Sequence, residues 1–445
     1  MDTIRATVVS ELQTALSAIT SKTESVQSLV IALSGGKDSV VLLDIISRLV
    51  DDTKGGSNTL PSIYAFHVNH GLSSDAEDWE QHCAHICAHR NIPFQSCAVT
   101  ITPKPRTSLE AQARELRYQR LVEFTKQVKG AIVTAHHLHD QMETMLLQLK
   151  RGAGPRGLAC MQLLSYKEQV PIIRPMLAIA QDAVNQYANT KRLSWVEDAS
   201  NKDERYDRNF LRQQIIPQLQ ARWPAISAAI ARSAQHCHEQ AVLLEQVCRE
   251  KLCTLQDAER RLDVVALTAL SEMWQKQILR EWLRQFFPLS PSTAVLAQIQ
   301  TMLTAREDSQ PLVEMSDYSV RRFRGKLWCV SRFSHLPEQL SIPEAGLNLP
   351  MWEKTLCVNW PDNTTSDRAH ITLVTGMPAI KFRPLGKLHN KRLKEWLKEW
   401  EVPPWERIQV PIIFFKETPV AVCLQHEILV LQTPPDIPPL DFTYK

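Results

Sequence analysis

Short apolar runs alternate with amphipathic segments through the first part of the chain. The three runs are 29–33, 63–68 and 131–135. Runs of this length predict buried parallel strands, and the spacing of apolar positions in 40–50 and 76–90 predicts helices between them. The alternation indicates an α/β domain around a parallel sheet, in which ligands bind beyond the carboxyl ends of the strands. Polar motifs begin at those ends, at Ser34, Asn69 and His136.

The pattern changes in the second part of the chain. From about residue 222 to 285 it is helical throughout, and one stripe at helical spacing contains Met273, Trp274, Ile278 and Trp282. We expect the last three of these to face a core. From residue 337 onward the chain holds more than half of its 26 prolines and two short strand-like runs, 371–374 and 411–415. That part predicts a linker followed by a small α+β domain.

Composition places the chain among globular proteins. Its 445 residues suffice for roughly three domains, and 44% of them are hydrophobic and 22% charged. The sequence contains no stretch of about 18 apolar residues, so it predicts no membrane span. The first residues lack the apolar segment of a signal peptide, and the 10 cysteines form no C-x-x-C pair, so we expect the reducing cytoplasm. A net charge of +3 neither requires nor excludes a nucleic-acid partner.

Two cysteines lie four residues apart in the sequence HCAHICAHR, with histidines around them. At this spacing Cys83 and Cys87 could share one helix face as metal ligands. We favour a half-buried helix instead, because no second ligand pair follows in the chain.

The sequence SGGKDS follows the first predicted strand and has the composition of a phosphate-binding loop. A Walker A loop requires G-x-x-x-x-G-K-[ST], and this chain departs from it at two positions. Ile31 replaces the first glycine, and Asp38 replaces the hydroxyl residue that binds magnesium. A dinucleotide-binding fingerprint also fails, because the glycines are adjacent and no third one follows.

What remains is a strand, a turn of the type S-G-G-x-D-S and a helix. Gly35 and Gly36 allow the backbone to approach an anion, which helix N–H groups, serine hydroxyls and Lys37 would hold. Asp38 would repel phosphate unless a cation lies between them, so the loop predicts ATP bound together with Mg²⁺. A tight strand-to-helix turn without a ligand is the alternative interpretation.

The loop resembles that of the PP-loop, or N-type, ATP pyrophosphatases, which cleave ATP between its α- and β-phosphates. Further stretches resemble the tRNA(Ile)-lysidine synthase family of that superfamily. They are HVNHG at 67–71, ARELRY at 113–118, AHHLHDQMET at 135–144, DASN with RNFLR between 198 and 212, and VPPWERIQVP at 402–411. Together these stretches span almost the whole chain.

The resemblance and the changes of pattern together predict three domains. Residues 1–217 are expected to form an α/β, parallel-sheet PP-loop domain that binds ATP and carries out catalysis. Residues 218–335 are expected to form an all-α tRNA-binding domain. After a linker at 336–369, residues 370–445 are expected to form a small α+β domain that also binds tRNA.

The resemblance implies roles for residues at matching positions. Catalysis falls to Asp38, Arg114, His136 and Asp140, and Asp38 and Asp140 are also the expected Mg²⁺ ligands. The ATP-binding set is the loop itself: Ser34, Gly35, Gly36, Lys37, Asp38 and Ser39. The expected substrate-binding residues are His67, Asn69, His70, Arg117, Asp198, Asn201 and Arg208.

Some of these residues have a second interpretation. Arg114 and Arg117 lie three apart and could form a solvated basic face, although nearby phosphate-directed motifs favour stabilisation of the triphosphate or the tRNA. Asp198 and Asn201 could equally cap a following helix. Glu143 we expect on a helix surface or as a capping residue.

The family usually carries two aspartates where this chain has His139 and Asp140. A neutral imidazole cannot replace a carboxylate in the oxygen-ligand geometry around magnesium. Either Asp140 is the essential acid or the use of metal is altered, and we favour Asp140. The pair His136 and His137 could be a satisfied core pair, but strand ends carry the ligand in such sheets, so one functional histidine is expected.

The resemblance implies that L-lysine is ligated to the wobble cytidine of a tRNA(Ile) with the anticodon CAU. The C2 oxygen of cytosine would first attack the α-phosphate of ATP and release pyrophosphate. The ε-amine of lysine would then attack C2 and displace AMP. Asp38, His136 and Asp140 are unranked candidates for the base that deprotonates the amine.

Two rival functions come from other classes. One is another PP-loop tRNA-modifying enzyme such as a thiolase, against which the absence of C-x-x-C counts. The other is a non-catalytic tRNA-binding protein, against which the intact SGGKDS loop counts. The sequence does not fix the oligomeric state, and a homodimer is compatible with it.

A tRNA partner requires an extended basic surface. The segment 386–405 offers one, because its basic residues lie mostly off the apolar stripe that contains Trp396 and Trp400. The expected tRNA-binding residues are Lys387, Lys391, Arg392, Lys394, Trp405 and Arg407. A solvated helix face is the alternative, which the glutamates of the same segment favour.

Overall fold

The structure is a computed structural model. It describes residues 2–21, 26–53, 61–71, 75–102, 109–198, 203–287, 291–306, 309–331, 336–343, 345–350, 352, 354–359, 370–433, 437 and 440–445. The chain divides into two compact units, residues 1–246 and 247–445. The three domain ranges expected from the sequence stay a prediction. No described helix has both the length and the apolar character needed to cross a membrane.

The first unit is built on a sheet that contains six strands among the described residues. They are β1 (Ser28–Ala32), β2 (Ser62–Asn69), β3 (Phe94–Ala98), β4 (Gly130–Val133), β5 (Leu164–Lys167) and β6 (Val170–Ile173). Their order is β3-β2-β1-β4-β6-β5. All neighbouring pairs are parallel except β5 and β6, which are antiparallel. The strands expected from the apolar runs are confirmed as β1, β2 and β4.

Helices connect these strands and continue beyond them. They are α1 (Asp2–Thr20), α2 (Lys37–Thr53), α3 (Ala76–Ala88), α4 (Leu109–Gln127), α5 (Leu138–Lys150), α6 (Pro155–Leu158), α7 (Gln181–Thr190), α8 (Asp207–Phe210), α9 (Ile216–Arg222) and α10 (Ile226–Leu255). A π-helical turn at Leu211–Ile215 joins α8 to α9.

Both faces of the parallel sheet are covered by helices. Leu29 and Ile31 of β1 belong to the core that contains residues of α1, α2, α3 and α7. Val30, between them, belongs to a second core with Tyr118 and Leu121 of α4. Successive side chains of a strand point to opposite faces, so a strand buried on both sides reads as a continuous apolar run.

Cys83 and Cys87 lie in the first of these cores, with side chains that are fully buried. Burial raises the pKa of each thiol to about 12, so both are protonated near neutral pH. The half-buried helix is therefore the interpretation that the structure supports for this pair.

A buried carboxylate fixes helix α2, which follows the phosphate loop. Asp44 accepts hydrogen bonds from Arg48 at 2.8 Å, Arg90 at 3.0 Å and the Tyr187 hydroxyl at 3.0 Å. Arg90 follows α3 and Tyr187 lies on α7, so this one carboxylate joins three helices. Burial of this charge is tolerated because two arginines and a hydroxyl group pair with it.

The middle segment of the second unit contains helices and a sheet. The elements are β7 (Leu262–Asp263), α11 (Val264–Thr268), α12 (Glu272–Arg284), α13 (Thr293–Leu303), β8 (Leu312–Glu314), β9 (Tyr318–Phe323) and β10 (Lys326–Ser331). Ile278 and Trp282 of α12 are fully buried, whereas Met273 is 78% exposed and lies off the core stripe. The sequence pattern predicted helices alone, and the antiparallel sheet β7-β10-β9-β8 is an addition. Its strands are too short and too exposed on one face to give a strong apolar run.

The last part of the second unit is an α+β arrangement, as the sequence predicted. Its elements are β11 (Gln339–Ser341), β12 (Leu347–Leu349), β13 (Lys354–Asn359), β14 (Ile371–Val374), β15 (Lys381–Phe382), β16 (Lys391–Arg392), α14 (Leu393–Glu399), β17 (Ile412–Phe415), β18 (Thr418–Cys423), β19 (Ile428–Val430) and β20 (Asp441–Tyr444). Its sheets are β11-β14-β17-β18-β19, β12-β13-β20 and β15-β16.

Candidate active site at the carboxyl edge of the parallel sheet

The loop after β1 is closed by its own serines. The Ser39 hydroxyl donates to the Gly36 carbonyl at 2.8 Å, and the Gly36 N–H donates to Ser34 Oγ at 3.3 Å. The Ser34 N–H donates to Ser39 Oγ at 3.3 Å, so the two ends of the loop are joined. Helix α2 begins at Lys37 and directs its N-terminal N–H groups toward this loop. A closed loop at a helix N-terminus is the arrangement that binds phosphate.

Gly35 occupies a position that a side chain would disturb. Its φ is +83°, which is the left-handed region, and an added Cβ would lie 2.9 Å from Cγ2 of Val196 and 3.1 Å from Sγ of Cys83. The Val196 N–H donates to the Gly35 carbonyl at 3.0 Å. The Lys37 ammonium lies 5.6 Å from the ring centroid of Trp195. The segment before residue 199 therefore packs directly on the phosphate loop.

Asp38 is held in its ionised form. Gln181 donates to its Oδ1 at 3.1 Å, and Nε2 of His137 lies 3.5 Å from its Oδ2. Burial raises the pKa of Asp38, but the hydrogen bond and charge of His137, with Gln181 and Arg212, bring that pKa below its usual value.

His137 lies between two carboxylates. Its Nδ1 is 3.6 Å from Oδ2 of Asp140, and its backbone N–H donates to the same oxygen at 2.9 Å, which caps helix α5. The His137 side chain is almost fully buried. Burial lowers its pKa, but the hydrogen bond to Asp38 and the charges of Asp140 and Asp38 raise it above the usual value. The imidazole thus moderates the repulsion between the two acids.

His136, the histidine selected from the sequence, has different surroundings. Its Nδ1 lies 2.8 Å from the Thr134 hydroxyl. Burial lowers its pKa well below the usual value, the charge of Asp140 opposes this, and the charge of Arg174 adds to it. His136 is therefore neutral near neutral pH.

Two arginines from the 207–215 segment reach the acids of α5. Arg212 Nε lies 2.7 Å from Glu143 Oε1, and its Nη2 lies 3.4 Å from Asp140 Oδ1. Arg208 Nε lies 2.9 Å from Glu143 Oε2. Glu143 is fully buried. Burial raises its pKa and Asp140 adds to this, although both arginines oppose the shift.

The substrate-binding residues expected at 67–70 lie at the carboxyl end of β2 and directly after it. His67 Nδ1 lies 2.9 Å from the Leu33 carbonyl, so its ring joins β2 to the start of the phosphate loop. Asn69 donates to Glu80 at 3.2 Å and accepts from the Gly71 N–H at 2.9 Å. Burial and the charge of Arg117 lower the pKa of His70 to about 4.

Arg114 and Arg117 flank the ring of Tyr118, with guanidinium carbons 5.6 and 5.8 Å from its centroid. Their charges act on the pKa of His136, so they lie at the same edge of the sheet. Asp198 ends the described segment next to the loop, and Asn201 lies outside the described residues.

Mg²⁺ is compatible with the carboxylates at this edge. Among the described residues, no group of three or more His, Cys, Asp or Glu side chains could hold a metal ion by itself. Mg²⁺ usually takes one or two carboxylates, with phosphate oxygens and waters completing its octahedron. Asp38 and Asp140 contact the same imidazole from opposite ring nitrogens, so their carboxylates fit that role together with a polyphosphate.

The expected tRNA-binding residues of the second unit are partly engaged. Lys387 and Lys391 lie 3.5 and 2.5 Å from the Glu399 carboxylate, and the Lys391 ammonium is 4.7 Å from the Trp396 centroid. Arg392 caps α14 through Glu395, and Lys394 is exposed.

Trp405 belongs to an aromatic cluster. Its ring centroid lies 5.8 Å from that of Phe323 and 5.7 Å from that of Trp328, and Arg321 stacks 5.2 Å from it. Arg407 donates to the Val402 carbonyl at 2.9 Å.

Three family models match the chain. They are the PP-loop domain over residues 8–219, the TilS substrate binding domain over 262–328 and the TilS substrate C-terminal domain over 371–425. A tRNA(Ile)-lysidine synthase of Histophilus somni (strain 129Pt) is 36% identical over 438 residues, which are 92% of this chain and 97% of that protein. The chain belongs to the tRNA(Ile)-lysidine synthase family.

Other members of the family have similar identities. The tRNA(Ile)-lysidine synthase of Coxiella burnetii is 36% identical over 88% of this chain and 87% of its own. That of Pectobacterium atrosepticum is 34% identical over 91% of this chain and 92% of its own. Among solved structures, the U34-tRNA thiolase NcsA from Methanococcus maripaludis matches 54% of this chain and 78% of its own at 17% identity, with a TM-score of 0.45. That likeness supports no conclusion about function.

His139, the departure from the lysidine synthase motif, contacts Gln220 through its side chain. Its Nε2 lies 2.9 Å from Nε2 of Gln220, which donates to it, and Gln220 also donates to Ser227 Oγ at 3.1 Å. The ring therefore links α5 to α9 and α10. The carboxylate of Asp140 contacts the His137 ring, whereas His139 reaches that ring through its backbone N–H, which donates to His137 Nδ1 at 3.2 Å.

Sequence reasoning selected His136 rather than His137 and did not place Glu143 in the site. Glu143 is wrong as a surface or capping residue, because Arg208 and Arg212 from a distant segment enclose it. The sequence did contain a signal that Glu143 lies beside Asp140, since the two residues are three apart and share a helix face. For His137 no such signal exists, because His136 and His137 are adjacent and only the packing of the folded chain determines which ring faces the carboxylates.

Replacing Gly35 by alanine should weaken ATP binding roughly tenfold or more, because strain and steric contact at such a position cost about 1–3 kcal/mol. Titration calorimetry with ATP measures this. The matched control is Gly152→Ala, since Gly152 also has a positive φ, +65°, but no atom lies within 4 Å of its added Cβ. Unchanged ATP affinity in Gly35→Ala would contradict this packing of the loop.

Replacing Glu143 by glutamine should lower the free energy of unfolding by about 2 kcal/mol, because a neutral amide leaves the two arginines without their buried counterion. Urea unfolding measures the change. The control is Glu123→Gln, which removes an exposed ion pair with Arg120 and should cost less than about 1 kcal/mol. Equal effects of the two substitutions would show that the buried cluster contributes no more to the free energy of unfolding than an exposed ion pair.

Proposed function

We propose that this protein is a tRNA(Ile)-lysidine synthase, which uses ATP to ligate L-lysine to the wobble cytidine of a tRNA(Ile) with the anticodon CAU. The observation that carries the proposal is the closed Ser34–Ser39 loop with ionised Asp38, in a chain that is homologous to these enzymes over 92% of its length. A loop at a helix N-terminus that also carries a carboxylate suits ATP bound through a cation.

In the first step, the C2 oxygen of the cytidine attacks the α-phosphate of ATP, and pyrophosphate leaves. Lys37 and the N–H groups at the start of α2 hold the departing phosphates. Asp38 and Asp140 would hold Mg²⁺, which supplies neutralisation of phosphate charge when bound. Arg114 and Arg117, at the same edge, add positive charge where the base or the triphosphate lies.

In the second step, the ε-amine of L-lysine attacks C2, and AMP leaves with the C2 oxygen. The amine must lose a proton before or during the attack. Asp38 and Asp140 have lowered pKa values and are ionised, and His136 is neutral because burial lowers its pKa. All three groups are therefore in a form that can accept a proton near neutral pH.

tRNA, ATP and free lysine meet in the cytoplasm, where the proposal places the protein. Incubation with ATP, labelled L-lysine and the tRNA transcript tests it, with lysine incorporation and AMP release as readouts. Incorporation that depends on all three substrates is the expected result. Binding of tRNA without AMP release, or a product that requires a sulfur donor, would reject it.

Asp140→Asn should reduce lysidine formation by about 100-fold or more, since Asp140 is proposed to act at the reacting phosphates. His139→Asn should stay within about tenfold of the parent protein, because an amide preserves the hydrogen bond to Gln220. Pyrophosphate release and lysine transfer are measured separately. Equal losses in the two variants would show that the histidine shares the role of the acid.

For tRNA binding, Lys391→Ala combined with Arg392→Ala should weaken affinity and reduce the slope of log K against log salt by roughly 2, about 1 for each phosphate that is no longer neutralised. Filter binding across a salt series measures the slope. Lys416→Ala, an exposed lysine on the hairpin of β17 and β18, is the control. If the slope stays at its parental value, Lys391 and Arg392 do not neutralise tRNA phosphates, which would indicate that Glu399 already offsets their positive charge.

A further inference from the structure

Arg174 is a buried arginine at the ligand-binding edge of the first sheet. It directly follows β6 and is 8% exposed. Its Nη1 donates to the Gln162 carbonyl and to Ser165 Oγ, each at 2.9 Å. Its Nε is buried and has no hydrogen-bond partner among the described residues.

The charge of Arg174 has no counterion among the described residues. The other buried Asp, Glu and Arg side chains in this part of the chain are paired: Asp44 with Arg48 and Arg90, Asp140 with Arg212, and Glu143 with Arg208 and Arg212. Arg174 forms no such ion pair in the described structure. Burial lowers its pKa, Tyr118 opposes this, and the positive charge of Arg114 adds to the lowering. Proteins rarely bury a charge without a partner, so the missing negative charge is expected from a ligand.

A cavity of about 200 Å³ lies against this arginine. Its wall contains one carboxylate, that of Glu11, and the side-chain amides of Gln162 and Gln235, with Leu163 and Leu177 as apolar surface. Arg174 and Glu11 make no ion pair with each other, so the cavity presents a cation and an anion at separate places. Sites for drug-sized ligands span about 300–1,000 Å³, so this one suits a smaller molecule.

We propose that this cavity is a binding site for a small oxyanion, which Arg174 holds by a charge-assisted hydrogen bond, and that Glu11 receives a positive group of the same ligand. A free amino acid has this chemistry, because it carries a carboxylate and an ammonium group on one small molecule. The apolar surface of Leu163 and Leu177 would contact its methylenes. A phosphate would satisfy Arg174 equally well but would leave Glu11 without a partner.

The choice of L-lysine as the amino acid rests on the proposed function, whereas the oxyanion site does not. Binding is measured by calorimetry without ATP or tRNA, so that no turnover is needed. The probes are L-lysine, lysinamide, which lacks the carboxylate, and inorganic phosphate. We expect L-lysine to bind, and lysinamide and phosphate to bind at least tenfold more weakly.

The variants are Arg174→Gln and Arg174→Lys, with Arg232→Gln as the matched control. Arg232 is exposed on α10, next to Ala231 of the cavity wall. Arg174→Gln should weaken L-lysine binding at least tenfold, Arg174→Lys should weaken it less, and Arg232→Gln should leave it unchanged. If phosphate binds instead and Arg174→Gln abolishes that binding, the site holds a phosphate, and the oxyanion assignment stands.

Arg174 also has a structural role, so its replacement could abolish binding by disturbing the fold, and a second variant is needed to separate the two effects. Ala231→Phe fills the cavity from α10 without removing a charge, and it should abolish ligand binding while the melting temperature stays close to that of the parent. Unchanged affinity for every probe in Arg174→Gln and in Ala231→Phe would overturn the proposal. In that case, lysidine formation by the parent protein would still support the proposed function. Conversely, if the parent protein forms no lysidine but its ligand binding depends on Arg174, the proposed function is rejected and the binding site stands.

Discussion

The imidazole of His137 lies between Asp38 and Asp140, 3.5 Å from one carboxylate and 3.6 Å from the other, and the site depends on this contact. Two carboxylates repel each other, and ATP would add further negative charge at the same place. Arg212 offsets part of that charge from the opposite side of Asp140, and Glu143 fixes Arg212. The arrangement lowers the pKa of both acids and so favours their ionised forms.

The parallel sheet explains why these groups meet. Its neighbouring strands β1 and β4 end at Ala32 and Val133, and the residues that follow each strand reach the same edge. Helices cover both faces of the sheet, and Asp44 ties α2 to its neighbours, so the phosphate loop rests on a rigid support. Polar chemistry can therefore be concentrated at one edge while the remainder of the unit is an apolar core.

The sequence predicted the features that are encoded locally. The strand, the SGGKDS turn and helix α2 are contiguous, and their residues have the propensities that the local backbone requires. The assignment of Glu143 failed because its partners Arg208 and Arg212 are more than sixty residues away. No periodicity in α5 indicates which distant segment will cover it. The aromatic neighbours of Trp405 could not be predicted for the same reason, since Phe323 and Trp328 come from another part of the chain, and its role in tRNA binding stays a prediction. Arg174 gave no sequence signal, because an arginine after an apolar strand is ordinary until its burial is known.

The hydrogen bond from Val196 to Gly35 has a thermodynamic consequence. The segment that precedes Asp198 is also part of the phosphate loop's wall, and Trp195 lies beside Lys37. Any molecule that displaces this segment changes the free energy of the loop, and so changes its affinity for a nucleotide by some factor. Linkage requires that the nucleotide change the affinity for that molecule by the same factor. The segment and the loop would then be coupled in both directions, so a ligand of either one would report on the other.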